Sequence, residues 1–205
     1  MADKIFFNKQ AINFTEGDLP CLITYADKTG GSHFSITLVV NLFLNGSKIL
    51  FLTAYPMAKD NFLQQIGEDH SKIAIVSSIE ELEKAKNTQV IILESGNEAL
   101  FNEAVKILPD LKERIVLVKN MEVFSKAVSD TCLNLEKVIL SGNIDMCADK
   151  EKISKKDFKT IVTFSKPEIA LPIEVPALEK YTGFLLGKNK MGVVVVQKEG
   201  NNGKE

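Results

Sequence analysis

The stretch that decides the fold is LITYADKTGGSHFSITLVVNLFLNGSKILFLT, residues 22–53. It begins with a short apolar run at 22–24 and continues through a loop with two adjacent glycines. An apolar segment of helical length follows at 34–44, and a second apolar run lies at Ile49–Thr53. Short continuous apolar runs separated by a helix are typical of buried parallel strands. The stretch therefore predicts a strand, a helix and a second strand parallel to the first.

The loop between the first strand and the helix matches only part of the phosphate-binding pattern G-x-x-x-x-G-K-[ST]. Over residues 25–32, Gly30 matches the last glycine and Ser32 matches the hydroxyl residue. Tyr25 stands where the first glycine belongs, and Gly31 stands where the lysine belongs. The loop therefore keeps its hydroxyl but loses the charge that would reach a phosphate.

A second alignment of the same loop moves the pattern by about three residues. Phe34 then takes the position of the lysine, and Ser35 takes the position of the hydroxyl residue. Both alignments lack the lysine. An ordinary P-loop hydrolase is therefore not the function that this loop predicts.

The loop still contains groups that can bind an anion. Backbone amides at the start of a helix attract phosphates, Lys28 is a cation within the loop, and His33 adds a donor. The candidate binding residues are Lys28, Thr29, Gly30, Gly31, Ser32 and His33. The alternative interpretation is a tight strand-to-helix turn in which Ser32 is only the N-cap.

One acidic residue is placed as a metal ligand would be. Glu94 follows a predicted strand at Val90–Leu93, and together with Ser32 it is the candidate for holding Mg²⁺. The alternative interpretation of Glu94 is a solvated acidic residue at the end of a strand. No acidic residue follows the second strand at 53–56 to activate water. Asn143, after another predicted strand, has the position of a polar phosphate sensor or of an ordinary turn residue.

The remainder of the chain repeats the alternation of strand and helix. Further apolar runs that predict strands lie at 115–118, 138–140, 160–164 and 193–196. Residues 181–197 predict a β-hairpin with its turn at 187–190. The fold class is therefore α/β, with three layers: a mostly parallel central sheet, helices on both faces and a C-terminal β-hairpin. Residues 1–198 are expected to form a single domain, and residues 199–205 a disordered tail.

Composition limits the function classes. A net charge of −2 gives no reason to expect nucleic-acid binding, and the lysine-rich segment 150–159 is interleaved with acidic residues. Because no run of apolar residues is long enough for a membrane span, none is expected, and the first residues lead us to expect no signal peptide. Three separated cysteines, Cys21, Cys132 and Cys147, predict reduced thiols and a cytoplasmic location.

With this order of elements, the region from residue 18 to residue 61 resembles the start of a RecA- or KaiC-like P-loop NTPase domain with a degenerate Walker A loop. The later strands and the terminal hairpin extend the resemblance to most of the chain. The resemblance implies self-association side by side, and the proline-bearing apolar segment 170–177 could serve as an arm on a neighbour. Expected partners are further copies of this chain or a related RecA-like subunit.

Two hypotheses for the function follow. The first is a non-hydrolysing RecA-like assembly or scaffold subunit that retains weak nucleotide or phosphate binding, with ATP and Mg²⁺ as the candidate cofactor or with none. The alternative is an unconventional ATPase in which Lys28 supplies the phosphate charge while Ser32 and Glu94 hold Mg²⁺. A nucleic-acid-associated module is a third and weaker hypothesis, and no catalytic residue is assigned.

Overall fold

The computed structural model describes residues 2–67, 70–94, 97–168 and 174–197. The strands of this part of the chain are β1 (Lys4–Phe7), β2 (Gln10–Ile12), β3 (Cys21–Thr24), β4 (Ile49–Thr53), β5 (Ile73–Val76), β6 (Val90–Leu93), β7 (Ile115–Lys119), β8 (Val138–Gly142), β9 (Thr160–Thr163), β10 (Thr182–Gly187) and β11 (Lys190–Gln197). The α-helices are α1 (Gly31–Leu44), α2 (Pro56–Ile66), α3 (Ile79–Ala85), α4 (Glu98–Ile107), α5 (Lys126–Leu133) and α6 (Lys150–Lys155).

All of these strands belong to one sheet, in the order β2-β1-β11-β10-β9-β3-β8-β7-β4-β6-β5. From β9 to β5 the neighbouring strands are parallel. From β9 to β2 they are antiparallel. The molecule therefore has a parallel body that carries α-helices and an antiparallel extension built from both ends of the chain.

Helices cover both faces of the parallel body. One apolar core packs α1 and α2 against one face, with Phe34 and Phe62 fully buried in it. The second core packs α3, α4, α5 and α6 against the other face, with Phe101 and Val128 at its centre. Alternate residues of each central strand enter opposite cores, which is why these strands are apolar along their whole length.

The antiparallel extension brings the C-terminal hairpin to the loop before α1. β10 runs antiparallel to β9, so the start of β10 lies at the carboxyl end of the parallel strands. Lys188 and Asn189 form a two-residue connection to β11. The hairpin therefore places the residues that precede β10 beside the candidate loop.

The predicted fold class is confirmed: the sheet is mostly parallel, helices lie on both faces, and a hairpin ends the described chain. Three strands were not predicted, namely β1, β2 and β5, which lie at or near the edges of the sheet. Among the described residues no helix is both long and apolar enough to cross a membrane. The predicted tail at 199–205 and part of the predicted arm at 170–177 lie outside the described residues.

Candidate functional site

Three neighbouring strands end around the start of α1. β8 lies between β3 and β7, and its residue Ser141 is paired with Ile23 on one side and with Lys119 on the other. In open α/β sheets, ligands bind at the carboxyl ends of the strands. This edge is therefore the place where the candidate loop would meet a ligand.

The loop before α1 is closed by its own contacts. Lys28 and Gly30 both have left-handed backbone conformations, with φ angles of 63° and 100°. A side chain at Gly30 would begin only 3.0 Å from Cδ1 of Tyr181, the residue before β10. The Thr29 hydroxyl donates a hydrogen bond to the carbonyl of Ala26, at 2.7 Å. Glycine is required at position 30 by the backbone angle and by the neighbouring ring.

The ring of Tyr25 fills the space over Gly31. A Cβ atom added to Gly31 would lie 2.4 Å from Cδ1 and 2.5 Å from Cγ of Tyr25, closer than real Cβ contacts allow. Tyr25 is buried, and its backbone N–H donates to the carbonyl of Gly142 at 3.2 Å. The two positions at which this loop departs from the phosphate-binding pattern are therefore packed against each other.

A lysine from another strand reaches the start of α1. Lys119, the last residue of β7, is fully buried. Its Nζ donates to the hydroxyl of Tyr25 at 2.5 Å, to the hydroxyl of Ser32 at 2.8 Å and to Oδ1 of Asn120 at 3.4 Å. An ammonium group has three donors, and all three meet neutral oxygens. The cation therefore sits on the hydroxyl that a P-loop protein uses to hold Mg²⁺.

Burial shifts the pKa values of both Lys119 and Tyr25. It lowers the pKa of Lys119 to about 8, although the negative charge of Glu122 acts in the opposite direction. It also raises the pKa of Tyr25 to about 12, against the effect of hydrogen bonding with Ser141 and Ser32. At neutral pH the pair is therefore a charged ammonium that donates to a neutral phenol oxygen.

Ser141 is the remaining polar group of this cluster. Its hydroxyl is near enough to Tyr25 to lower the pKa of the phenol, yet its Oγ has no hydrogen-bond partner of acceptable geometry. Ser141 is fully buried, and an unbonded buried hydroxyl is costly. The cluster therefore has unused hydrogen-bonding capacity beside the phenol.

Asn143 serves a local turn. Its side-chain Oδ1 accepts a hydrogen bond from the N–H of Asp145 at 3.2 Å, and its own N–H donates to the Glu122 carboxylate at 3.0 Å. The sequence left two interpretations of Asn143, a turn residue or a phosphate sensor. These contacts are those of a turn residue. They also orient Glu122 toward the backbone after β8.

The structure does not bring Ser32 and Glu94 together. Glu94 follows β6, which is four strand positions from β3 in the sheet, a separation of about 19 Å at the usual spacing between strands. Mg²⁺ binds its ligands at about 2.1 Å. In addition, the Glu94 carboxylate accepts a hydrogen bond from Nζ of Lys59 at 2.5 Å. These two residues do not fit a shared Mg²⁺ site.

His33 also has a partner outside the loop. Its Nε2 lies 2.8 Å from the Oδ2 atom of Asp3, just before β1. Lys28 is exposed and is the loop cation that the sequence identified. Of the six candidate anion-binding residues, only Ser32 is in side-chain contact with the buried cluster.

Mg²⁺ and nucleotide phosphates do not fit this arrangement. The Tyr25 ring fills the space over Gly31, where a phosphate would bind. The Ser32 hydroxyl accepts a hydrogen bond from the Lys119 ammonium and so is not available to a metal. A phosphate would need the space that the ring fills. Nucleotide binding at this loop therefore requires the ring to move.

The sequence did not identify Lys119 as part of the site. The order of strands in the sheet differs from their order in the chain, and 87 residues separate Lys119 from Ser32. One signal was present: a lysine directly follows the apolar run 115–118. Lysine is almost never fully buried without a function or a partner, so a lysine that extends a buried strand is a candidate site residue.

Comparison with known proteins supports the fold. No family model matches the chain, and no curated protein matches it by sequence. Among solved structures, EssC (ATPases 2 and 3) from Geobacillus thermodenitrificans is similar with a TM-score of 0.57 and 13% identity. The match covers 96% of this chain and 40% of that one, so the chain spans less than half of the EssC structure.

The genome packaging NTPase B204 from Sulfolobus turreted icosahedral virus 2, in complex with AMPPCP, is similar over 90% of this chain and 99% of its own. The TM-score is 0.55 and the identity is 14%. B204 from Sulfolobus turreted icosahedral virus, a DNA-packaging ATPase, matches 87% of this chain and 96% of its own with a TM-score of 0.52 and 12% identity. The chain shares the fold of these ATPase and NTPase structures. At these identities the likeness concerns the fold alone.

Proposed function

We propose that this protein is a non-hydrolysing member of the P-loop NTPase fold that acts as an assembly or scaffold subunit, with itself or with a related RecA-like subunit. The observation that carries the proposal is the Lys119 ammonium bonded to Tyr25 and Ser32 at the start of α1. The Lys119 ammonium therefore occupies the hydroxyl of Ser32, which in P-loop proteins helps to bind the metal beside the phosphate.

Hydrolysis needs a charge on the phosphate, a metal ion and an oriented water. The lysine position of the loop is Gly31, under the Tyr25 ring. Ser32 is bonded to a cation, and the hydroxyl of Thr53, the last residue of β4, accepts a hydrogen bond from the N–H of Tyr55 at 3.2 Å. None of these contacts prepares a phosphoryl transfer.

The alternative ATPase, with Lys28, Ser32 and Glu94, has weaker support. Ser32 and Glu94 each have a lysine partner, and the sheet separates them. Mg-ATP is therefore not part of the proposed activity. Three free and buried cysteines favour a reducing compartment and hence the cytoplasm.

Assembly is supported by apolar side chains at the same edge of the sheet as the loop. Five large apolar residues near this edge are between 44% and 73% exposed: Tyr55, Met57, Val123, Met146 and Tyr181. Single exposed apolar residues are ordinary, but several large apolar side chains exposed at the same end of the strands are candidates for an interaction surface. Methionine is frequent on such surfaces because its flexible side chain adapts to a partner.

The proposal is tested first by hydrolysis. Purified protein should release phosphate from ATP or GTP no faster than buffer, with and without Mg²⁺. Turnover of about 1 s⁻¹, ordinary for phosphoryl-transfer enzymes, would contradict it.

Assembly is tested by light scattering after size exclusion. At about 100 μM, well above the Kd of a micromolar contact, the protein should be larger than a monomer. The double substitution Met57→Lys and Met146→Lys should shift it toward the monomer, while Met191→Lys, an equally exposed methionine on β11, should not. A wild-type protein that is only monomeric would contradict self-assembly.

A further inference from the structure

The Lys119 ammonium is a buried cation that lacks an anionic partner. All its hydrogen bonds go to neutral oxygens, of Tyr25, Ser32 and Asn120. Within the described residues no carboxylate lies at ion-pair distance from it; the carboxylate of Glu122 instead accepts the N–H of Asn143. A buried charge without a counter-charge is unfavourable. The ammonium therefore has no directly bonded counter-charge, and Glu122 acts on it only at longer range.

The surrounding groups are those of an oxyanion site. α1 has fourteen residues, and the amides of its first turn point toward the helix start, where anions bind. The Ser32 hydroxyl is held there by Lys119 at 2.8 Å. The fully buried Ser141 Oγ, whose contact with Tyr25 lowers the pKa of the phenol, has no hydrogen-bond partner of good geometry. An oxyanion at the phenol position would meet the Lys119 ammonium and the hydroxyls of Ser32 and Ser141.

We propose that Lys119, Ser32, Ser141 and the first amides of α1 form a latent phosphate site that needs no metal, in which the Tyr25 hydroxyl is the internal ligand. The inference rests on the proposed function, because it takes the closed loop as the resting state. Tyr25 supplies an oxygen to the ammonium where a phosphate oxygen would otherwise lie. Its ring, packed on Gly31, keeps the external anion out.

The geometry also gives the reason for metal independence. In P-loop proteins the hydroxyl of the loop helps to hold Mg²⁺. Here the ammonium of Lys119 lies on that hydroxyl. A second cation at the same oxygen would be repelled, so EDTA should not weaken phosphate binding.

The decisive experiment removes the internal ligand. Tyr25→Ala is compared with the wild type by thermal unfolding in inorganic phosphate, pyrophosphate or ATP, each with EDTA. Wild type should not respond to about 10 mM phosphate. Tyr25→Ala should gain about 5 °C in Tm at a hundred times Kd, since a ligand that binds only the folded state raises its stability. Equal responses to all three ligands show that the phosphate group alone is recognised, and a response to ATP alone would overturn a site for phosphate itself.

Two matched variants act as controls. Tyr25→Phe keeps the ring over Gly31, so it should not respond to phosphate. Combining Tyr25→Ala with Lys119→Met keeps the opened space but removes the charge, and it should lose at least tenfold in phosphate affinity. A folded Tyr25→Ala protein without a response, or a response unchanged by Lys119→Met, would overturn the proposal.

If Tyr25→Ala does not fold, a double-mutant cycle tests whether Tyr25 and Lys119 form the proposed pair. Tyr25→Phe and Lys119→Met are close in shape to the wild-type residues, and their effects on the unfolding constant should be non-additive by at least about tenfold, because each removes one end of the same contact. Additive effects would overturn the internal-ligand pair. ATP hydrolysis by the wild type would refute the proposed function. The phosphate-binding and double-mutant results test only the latent site.

Discussion

Two buried cations flank the same strand, and their surroundings differ. Arg114 directly precedes β7 and Lys119 ends it, and both are almost fully buried. The Arg114 guanidinium donates to the carboxylate of Asp110 at 2.9 Å and to the carbonyls of Thr88 and Lys86 at 3.0 and 2.7 Å. Lys119 has only neutral acceptors.

The difference separates a structural cation from one that is available to a ligand. Arg114 bonds a carboxylate and several carbonyls, so it connects the segment before β7 to the segment before β6, with β4 between these strands. Lys119 lies at the carboxyl edge, where ligands bind in this class of sheet, and its charge is not neutralised. At the start of β7, Arg114 therefore stabilises the fold, whereas at its end Lys119 is the cation that we propose for binding an anion.

Removing Arg114 should give the largest effect. Arg114→Met removes the donors to Oδ1 of Asp110 and to the carbonyls of Thr88 and Lys86. We expect a loss of about 3–5 kcal/mol in the free energy of unfolding, measured by urea denaturation. The control is Lys48→Met, which removes the exposed lysine that bonds Asp110 at 3.0 Å and should cost less than about 1 kcal/mol. Equal losses in the two variants would refute the structural role assigned to Arg114.

Lys119 should make the free energy of unfolding depend on pH. Its native pKa of about 8 lies below its ordinary value of 10.5, so above pH 7 the unfolded chain increasingly binds more protons than the folded one. Stability therefore rises with pH on account of this group, by about 1.4 kcal/mol between pH 7 and pH 9.

Buried thiols act in the opposite direction. Burial raises the pKa of Cys132 and Cys147 from 9.0 to about 12 and raises that of Cys21 as well. Their unfolded forms begin to ionise in the same range, which lowers stability. The quantity to measure is hence the stability of wild type minus that of Lys119→Met. A difference that stays constant from pH 7 to pH 9 would contradict the lowered pKa of Lys119.

The pair of Lys59 and Glu94 should have the smallest effect. Glu94 is about one-third exposed, and such ion pairs contribute less than about 1 kcal/mol. Glu94→Gln and Lys28→Ala should unfold near the wild-type denaturant midpoint and leave phosphate release from ATP at the buffer level. A measurable wild-type activity that disappears in both variants would favour the alternative ATPase.

The parallel body could be predicted from sequence because strands buried on both faces are continuous apolar runs. β1 and β2 were missed because their residues are mixed, with Lys4 and Gln10 exposed. β5 was missed because it is a four-residue edge strand. Edge strands face water on one side and carry a weaker pattern.

The site could be predicted only in part. The loop departures at Tyr25 and Gly31 were visible, but their packing against each other was not. Glu94 was assigned from the order of strands along the chain, whereas β3 is flanked in the sheet by β8 and β9, and β7 follows β8. Which strand ends meet depends on long-range pairing, which no local pattern encodes.

The contact between Tyr25 and Gly31 also fixes the order in which this loop could change. Restoring the lysine of the phosphate-binding pattern at position 31 places its Cβ atom 2.4 Å from the phenol ring, so that single substitution is blocked in this background. A small residue at position 25 must come first. The two sites are therefore epistatic, and the loop can return to its ordinary form by only one of the two mutational routes.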